Sequence, residues 1–252
     1  MLVVGMRRTS ACDYRARIYK SYASKFQHAG CEFASVAAER WGRGYDWYLR
    51  GWLPERKSAA ILEVACGRGW LLHFFKRRGY ENLTGVDISP EQVQLSRQVI
   101  ENVVEDNVLD FLESAKEQYD LIVGLDIIEH FHKDETLQFL DGCNRSLKPG
   151  GRLILQTPNA DSPWGLMHRY NDFTHEICFN PNALRNLLHL IGFQHIEARE
   201  AGPVVHGVAS FGRYVIWHLI RIILKIWNLA ETGGIGSNVY TRVFLISGIK
   251  ES

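Results

Sequence analysis

The sequence predicts an α/β fold, a doubly wound and mostly parallel seven-stranded sheet with helices on both faces. Three observations predict it. Short apolar runs alternate with segments of helical spacing, a glycine-rich turn joins the first run to its helix, and an aspartate closes the second run about 20 residues later. Strands covered on both faces read as unbroken apolar runs, as these do.

AAILEVA (59–65) is the first strand, and WLLHFFKRR after it has helical spacing that Gly79 stops. LTGVDI (83–88) is the second strand. Ser89, Pro90 and Gln92 then give an N-cap, a first-turn proline and a capping box, for a helix running to about Glu101. VVEDNVL (103–109) reads as a weak third strand and DLIVGL (120–125) as a strong fourth, with a helix over 133–147. GRLILQT (151–157) follows the turn at Lys148 to Gly151 as the fifth. Asn180-Pro181 opens a helix that Gly192 ends, FQHIEAR leads out of it as the sixth strand, and VYTRVFLISGI (239–249) is a final strand that closes the sheet.

Two parts lie outside the alternation. Residues 1–58 read as a helical, aromatic segment that covers the ligand-binding edge of a core at 59–200. Residues 201–237 form a helical insertion before the last strand's segment, 238–252. Within that insertion, residues 211–230 carry His218, Arg221, Lys225 and Asn228 in one narrow helical stripe, and the rest of the surface is apolar. Such a surface needs cover from its own domain, from a second subunit in a homodimer, or from a membrane contacted peripherally.

With 252 residues and 46% hydrophobic content, the chain can bury a substantial core. Its 29 Lys and Arg balance 28 Asp and Glu, so no field favours nucleic acid as a partner. Cys12, Cys31, Cys66, Cys143 and Cys178 are odd in number and contain no C-x-x-C pair, which argues against disulfides and a metal site and suits a cytoplasmic protein. MLVVGMRRTS does not read as a secretion signal, and no apolar run approaches the roughly 20 residues of a membrane-spanning helix.

Glu63-Val64-Ala65-Cys66-Gly67-Arg68-Gly69 stands where the first strand meets its helix. Glycine there lets backbone approach a ligand, at the strand ends where open α/β sheets bind theirs. A pyrophosphate is repelled by acidic Glu63, which instead suits an ammonium; no third glycine of the dinucleotide pattern follows Gly69. Asp87 sits where a carboxylate grips ribose hydroxyls. These features disfavour a nicotinamide enzyme.

Here the chain resembles the class I S-adenosylmethionine-dependent methyltransferase superfamily, with a Rossmann-like core. LEVACGRG matches its first motif with Ala65 at the first glycine; TGVDIS, YDLIVGLDIIEHF (119–131) and LKPGGRLILQTPN (147–159) resemble the later ones, over about residues 60–200. The resemblance implies S-adenosylmethionine as cofactor, held by Glu63, Ala65, Cys66, Gly67, Gly69, Asp87, Ile88, Leu125 and Asp126, with Asp106 or Asn107 against the adenine. Cys66 reads as a small filler, since no base is predicted beside it.

A hydroxyl acceptor is helped by a base within hydrogen-bond reach. Candidates are Glu129 and His130 after the fourth strand, and Asp172, His175 and Glu176 in the loop after the fifth, with His175 as the chosen base. TPNADSPWGLMHRYNDFTHEICF and AAERWGRGYDWYLRGWLP resemble bacterial methyltransferases associated with surface polysaccharide and O-antigen synthesis. That resemblance implies a small-molecule or glycan acceptor methylated on a sugar hydroxyl. Two alternatives stay open: a phenolic or quinone-type acceptor, and a noncatalytic protein that holds S-adenosylmethionine. Methylation of nucleic acid is disfavoured by the charge balance and by Ile127-Ile128 after Asp126, where amino-methylating nucleic-acid enzymes carry a proline-containing tetrapeptide.

Overall fold

The computed structural model describes residues 14–27 and 30–251. Cys12 and the reading of MLVVGMRRTS lie outside the described residues. The chain forms a seven-stranded sheet in the order β3-β2-β1-β4-β5-β7-β6, built from β1 (Ile61–Val64), β2 (Leu83–Asp87), β3 (Val103–Glu105), β4 (Tyr119–Leu125), β5 (Leu147–Pro158), β6 (Phe193–Glu200) and β7 (Val243–Lys250). The first five strands pair in parallel. β7 does not close an edge: it inserts antiparallel between β5 and β6.

Alternate residues of each strand feed two cores. Leu62, Val64, Ile122, Leu153 and Leu155 pack under α7 (Val108–Ser114), α8 (Lys133–Ser146) and α10 (Pro181–Ile191). Ile61, Leu121, Val123 and Ile154 face α5 (Trp70–Arg77) and α6 (Pro90–Ser96). Four short helices precede the sheet, α1 (Tyr14–Tyr19), α2 (Tyr22–Lys25), α3 (Ser35–Gly42) and α4 (Tyr45–Tyr48); α2 packs on α6 and α3 on α5 on that second side, while α1 reaches Glu135 of α8 through Arg15. α4 and the turn after it add Tyr45, Leu49 and Trp52 to the core. Two further helices, α9 (Gly165–Asn171) and α11 (Val208–Thr232), follow β5 and β6.

Local chemistry explains where the elements depart from the sequence reading. The third strand stops at Glu105 because Asn107 caps α7, its Oδ1 accepting from Leu109 N at 2.9 Å. α6 ends at Ser96, short of Glu101, where the chain turns back and the Arg97 guanidinium bonds the Val103 carbonyl at the start of β3. No capping box forms at Ser89: its N–H donates to Asp87 Oδ1, and the Gln92 side chain turns to Gln27. α9 occupies part of what the sequence reads as loop.

The insertion also departs from one expected covering. No residue of α11 is buried, so its own domain does not cover the apolar surface. Its polar stripe faces inward instead, with Arg221 Nε 3.1 Å and Trp217 Nε1 3.2 Å from Glu200 Oε2. Among the described residues, no helix is long and apolar enough to cross a membrane.

Candidate active site

The strand order reverses between β1 and β4, and open sheets leave a crevice at the carboxyl ends of the strands there. A cavity of about 480 Å³ occupies that crevice. Its wall includes Glu63, Ala65, Cys66, Gly67, Asp87, Ile88, Asp106, Asn107, Leu125, Asp126, His130, Asp172 and His175. Three predicted site residues do not line it. Gly69 heads α5 with φ 79°, and a Cβ there would meet Ser96 Cα at 3.0 Å, so this glycine serves helix packing. Glu129 is buried beneath the cavity, where Thr157 Oγ1 donates to its Oε2 at 2.9 Å. Glu176 is held away from it by Tyr14, with His132 Nδ1 3.4 Å from its other oxygen.

The turn after β1 has the geometry of a cradle. Ala65 has φ 51° and Gly67 φ 52°, both left-handed, and a Cβ on Gly67 would find no atom closer than 4.0 Å, so it would project into the free space of the cavity. Asp87 fixes the turn: Oδ2 accepts from Gly67 N and Oδ1 from Ser89 N, each at 2.8 Å. Burial pushes its carboxyl up to about 6, against those backbone bonds. Burial also raises the Glu63 carboxyl and the Cys66 thiol well above their ordinary values, which makes Cys66 a neutral filler. On the neighbouring strand, Asp126 has φ 53°, and Gln156 Nε2 donates to both its oxygens at 3.2 and 3.0 Å. Tyr45 OH donates to Gln156 Oε1 at 2.9 Å and so anchors this pair to the N-terminal segment.

Four buried polar atoms of this wall, Glu63 Oε2, Trp70 Nε1, Ser89 Oγ and Gln92 Oε1, have no hydrogen-bond partner in the protein. Buried polar groups are ordinarily paired, so these atoms await a polar ligand. Acceptors at Glu63 and Asp87, an exposed apolar Ile88, and Asp106 with Asn107 fit the ammonium, ribose and adenine of S-adenosylmethionine.

The opposite wall belongs to segments distant in sequence. Arg15, Tyr19, Tyr22 and Trp41 reach it from the N-terminal helices. Arg15 Nη2 donates to the His130 carbonyl at 2.8 Å and Arg15 Nη1 pairs with Glu135 at 2.8 Å; Tyr22 OH donates to Asp172. Behind them His130 and His175 stack edge to face at 4.8 Å. His175 Nδ1 lies 2.9 Å from the His168 carbonyl, which can only accept, so the neutral ring keeps its lone pair on Nε2, 3.9 Å from Glu129 Oε1. His130 Nδ1 lies 2.9 Å from Thr174 Oγ1, whose own proton goes to Asp172 Oδ1 at 2.6 Å. Burial, then the neighbouring His175, pushes the His130 ring down to about 4 and keeps it neutral near pH 7. Burial and the Asp126 charge raise Glu129 well above its ordinary value. The sequence suggests no metal set, yet Glu129, His130 and His175 each bring a ligand atom within 4.8 Å of the others.

The sequence reading did not single out Gln156, Thr174, Trp70 or Arg15 for the site. Only the contacts above give them a role there, although Trp70 directly follows the glycine turn.

Two predictions arise at the cradle. Ala65→Gly removes a left-handed Cβ that costs about 1–2 kcal/mol, offset by about 0.4–1 kcal/mol of extra unfolded-state freedom. We expect an unchanged or slightly raised melting temperature and undiminished cofactor affinity. For Asp87, the ionised carboxylate is the form that accepts from ribose hydroxyls, and with the carboxyl pushed up to about 6 it is half formed there and nearly complete one pH unit higher. Cofactor affinity is therefore expected to hold from pH 8 to 7 and to fall below pH 6, by up to about tenfold per unit, in calorimetric titrations. A flat profile from pH 7 to 5 would contradict this.

Comparison with known proteins agrees with this cleft. A family model described as a methyltransferase domain matches residues 34–198, well over half of the chain. A ubiquinone biosynthesis O-methyltransferase of Klebsiella pneumoniae is 28% identical over 127 residues, 46% of this chain and 51% of that protein. One of Alkalilimnicola ehrlichii is 33% identical over 120 residues, 45% and 47%. The chain spans about half the length of the curated relatives it matches. Among solved structures, a SAM-dependent methyltransferase of Archaeoglobus fulgidus superposes with a TM-score of 0.62 at 21% identity, over 94% of this chain and 100% of that one, which shows a shared fold. These matches carry the superfamily and not its polysaccharide-associated subset. The chain belongs to the methyltransferase-domain family, and the residues of its crevice fit S-adenosylmethionine as cofactor.

Proposed function

We propose that this chain methylates a hydroxyl of a small phenol- or quinol-type acceptor, with His175 taking the hydroxyl proton. The observation that carries the reading is an imidazole whose lone-pair nitrogen is fixed by the His168 carbonyl and backed by buried Glu129, in the wall of the same cavity as Asp87 and Gly67. S-adenosylmethionine, when bound, supplies a methyl on a positively charged sulfur, which leaves as a neutral thioether when an oxygen attacks in line.

The chain's own part is alignment and proton removal. As the hydroxyl oxygen bonds to the methyl carbon, its proton passes to His175 Nε2. The imidazolium so formed loses its proton to water. His130, held neutral, contributes shape and a hydrogen-bonding ring. Tyr19, Tyr22 and Trp41 offer aromatic faces to a planar ring. The sugar acceptor implied by the sequence resemblance has less behind it than this alternative, which the ubiquinone-biosynthesis relatives favour.

The test is methyl incorporation over a panel of catechols, hydroquinones, nucleotide sugars and amines, run with and without prior chelator treatment. Turnover on the dihydroxybenzene members is expected. Turnover confined to sugars or amines would overturn the acceptor class, and cofactor binding without any turnover would favour a noncatalytic role. Loss of activity after chelation, restored by a divalent cation, would place an ion at Glu129, His130 and His175.

A further inference from the structure

We infer that α11 lies on an anionic phospholipid surface. Amphipathic helices of globular domains turn their apolar face to the core, but α11 does the reverse. Half-covered positions, among them Tyr214, Trp217, Arg221, Leu224 and Asn228, recur every three to four residues and face the protein, with His218 and Lys225 half-covered at their edge. Arg221 and Trp217 are tied there to Glu200, and Trp217 packs on Gly202. The opposite arc holds Phe211, Val215, Leu219, Ile222, Ile226 and Trp227, all exposed, with Ile226 at 61% and Trp227 at 65%. At 100° per residue this arc spans about half of the helix circumference over a length of about 25 Å.

A second copy of the helix would cover a narrower seam than this, since paired helices meet along stripes of two residues per heptad. A bilayer surface covers half a cylinder and matches the whole arc. Charge selects the kind of lipid. Lys225 and His218 border the arc on one side and Arg213 on the other, and the helix carries no acidic residue before Glu231. Arg213 is exposed and Lys225 half-covered at the two edges of the arc, a basic border that complements an anionic headgroup layer. Such a helix lies in the interface and does not cross it, in keeping with its failure to reach membrane-spanning hydropathy.

The test uses the full chain with vesicles of phosphatidylcholine alone or mixed with phosphatidylglycerol. Flotation with the mixed vesicles is expected, weaker with phosphatidylcholine alone and reduced by salt. Ile222→Glu with Ile226→Glu should lower partitioning by about tenfold or more while calorimetric binding of the cofactor is retained. Should that variant fail to fold, brominated-lipid quenching of the wild-type protein, lost in Trp227→Phe, supports the same surface independently. Wild-type protein that stays with the dense fraction for both vesicle types overturns the proposal. So does a dimer in sedimentation equilibrium that the double variant dissociates while vesicles bind neither protein.

Discussion

Replacing His175 by alanine is expected to lower turnover by about 100- to 10,000-fold, the contribution of a positioned general base, while cofactor affinity stays within twofold. The expectation separates a catalytic from a structural role because His175 also ties its loop to α9 through the His168 carbonyl. If the ring only shaped the cavity, His175→Asn, which retains a polar side chain of similar reach, would restore turnover, and the cofactor constant would move with it. Steady-state kinetics against acceptor and cofactor, with calorimetry on the same variant, distinguish the outcomes. Added imidazole should recover part of the loss only if proton transfer is what was removed. Glu129 acts through His175, so Glu129→Gln should lower kcat less, leave the acceptor KM in place and shift the pH profile of turnover. An equal loss in cofactor affinity and turnover on His175→Ala would falsify the assignment.

Asp87→Ala is expected to weaken S-adenosylmethionine binding by about 1–3 kcal/mol, the cost of leaving a buried hydrogen-bonding partner unpaired. The substitution removes more than a ribose contact. Gly67 N and Ser89 N both lose their acceptor, so the cradle itself relaxes. Asp87→Asn keeps one carbonyl acceptor but must aim its amide at one of two N–H donors, and an intermediate loss is expected. Calorimetry of the folded variants, with secondary structure checked by circular dichroism, decides it. Unchanged affinity in a folded Asp87→Ala protein would remove the cofactor site as drawn.

Much of the core and one side of the cavity were legible in the sequence because they are encoded locally. The strand run ending at Ala65, the glycine turn and the second strand closed by Asp87 put Glu63 and Asp87 on adjacent parallel strands with Gly67 in the turn between, and parallel pairing brings the strands' carboxyl ends together. Ala65 could be placed but its strain could not, since a positive φ is a property of the folded backbone. Gly69 looked like part of the cofactor loop, yet its lack of a Cβ serves the passage of Ser96. The acceptor side was less legible. Asp172, His175 and Glu176 cluster in the sequence, but they part in the fold: Asp172 and His175 line the cavity, Asp172 held by Thr174 and Tyr22, and Glu176 turns away to Tyr14 and His132.

The sequence by itself determined the alternation of the core elements, the glycine turn after the first strand and the methyltransferase superfamily, because periodicity, glycine placement and strand-end acids act over a few residues. Only the tertiary structure decided that β7 inserts antiparallel, that Glu129 backs His175, and that α11 turns its polar stripe inward. Each depends on contacts between residues far apart in the chain, and a local pattern cannot say which partner a side chain will meet. Periodicity gives a helix its two faces; Glu200 decides which one looks out.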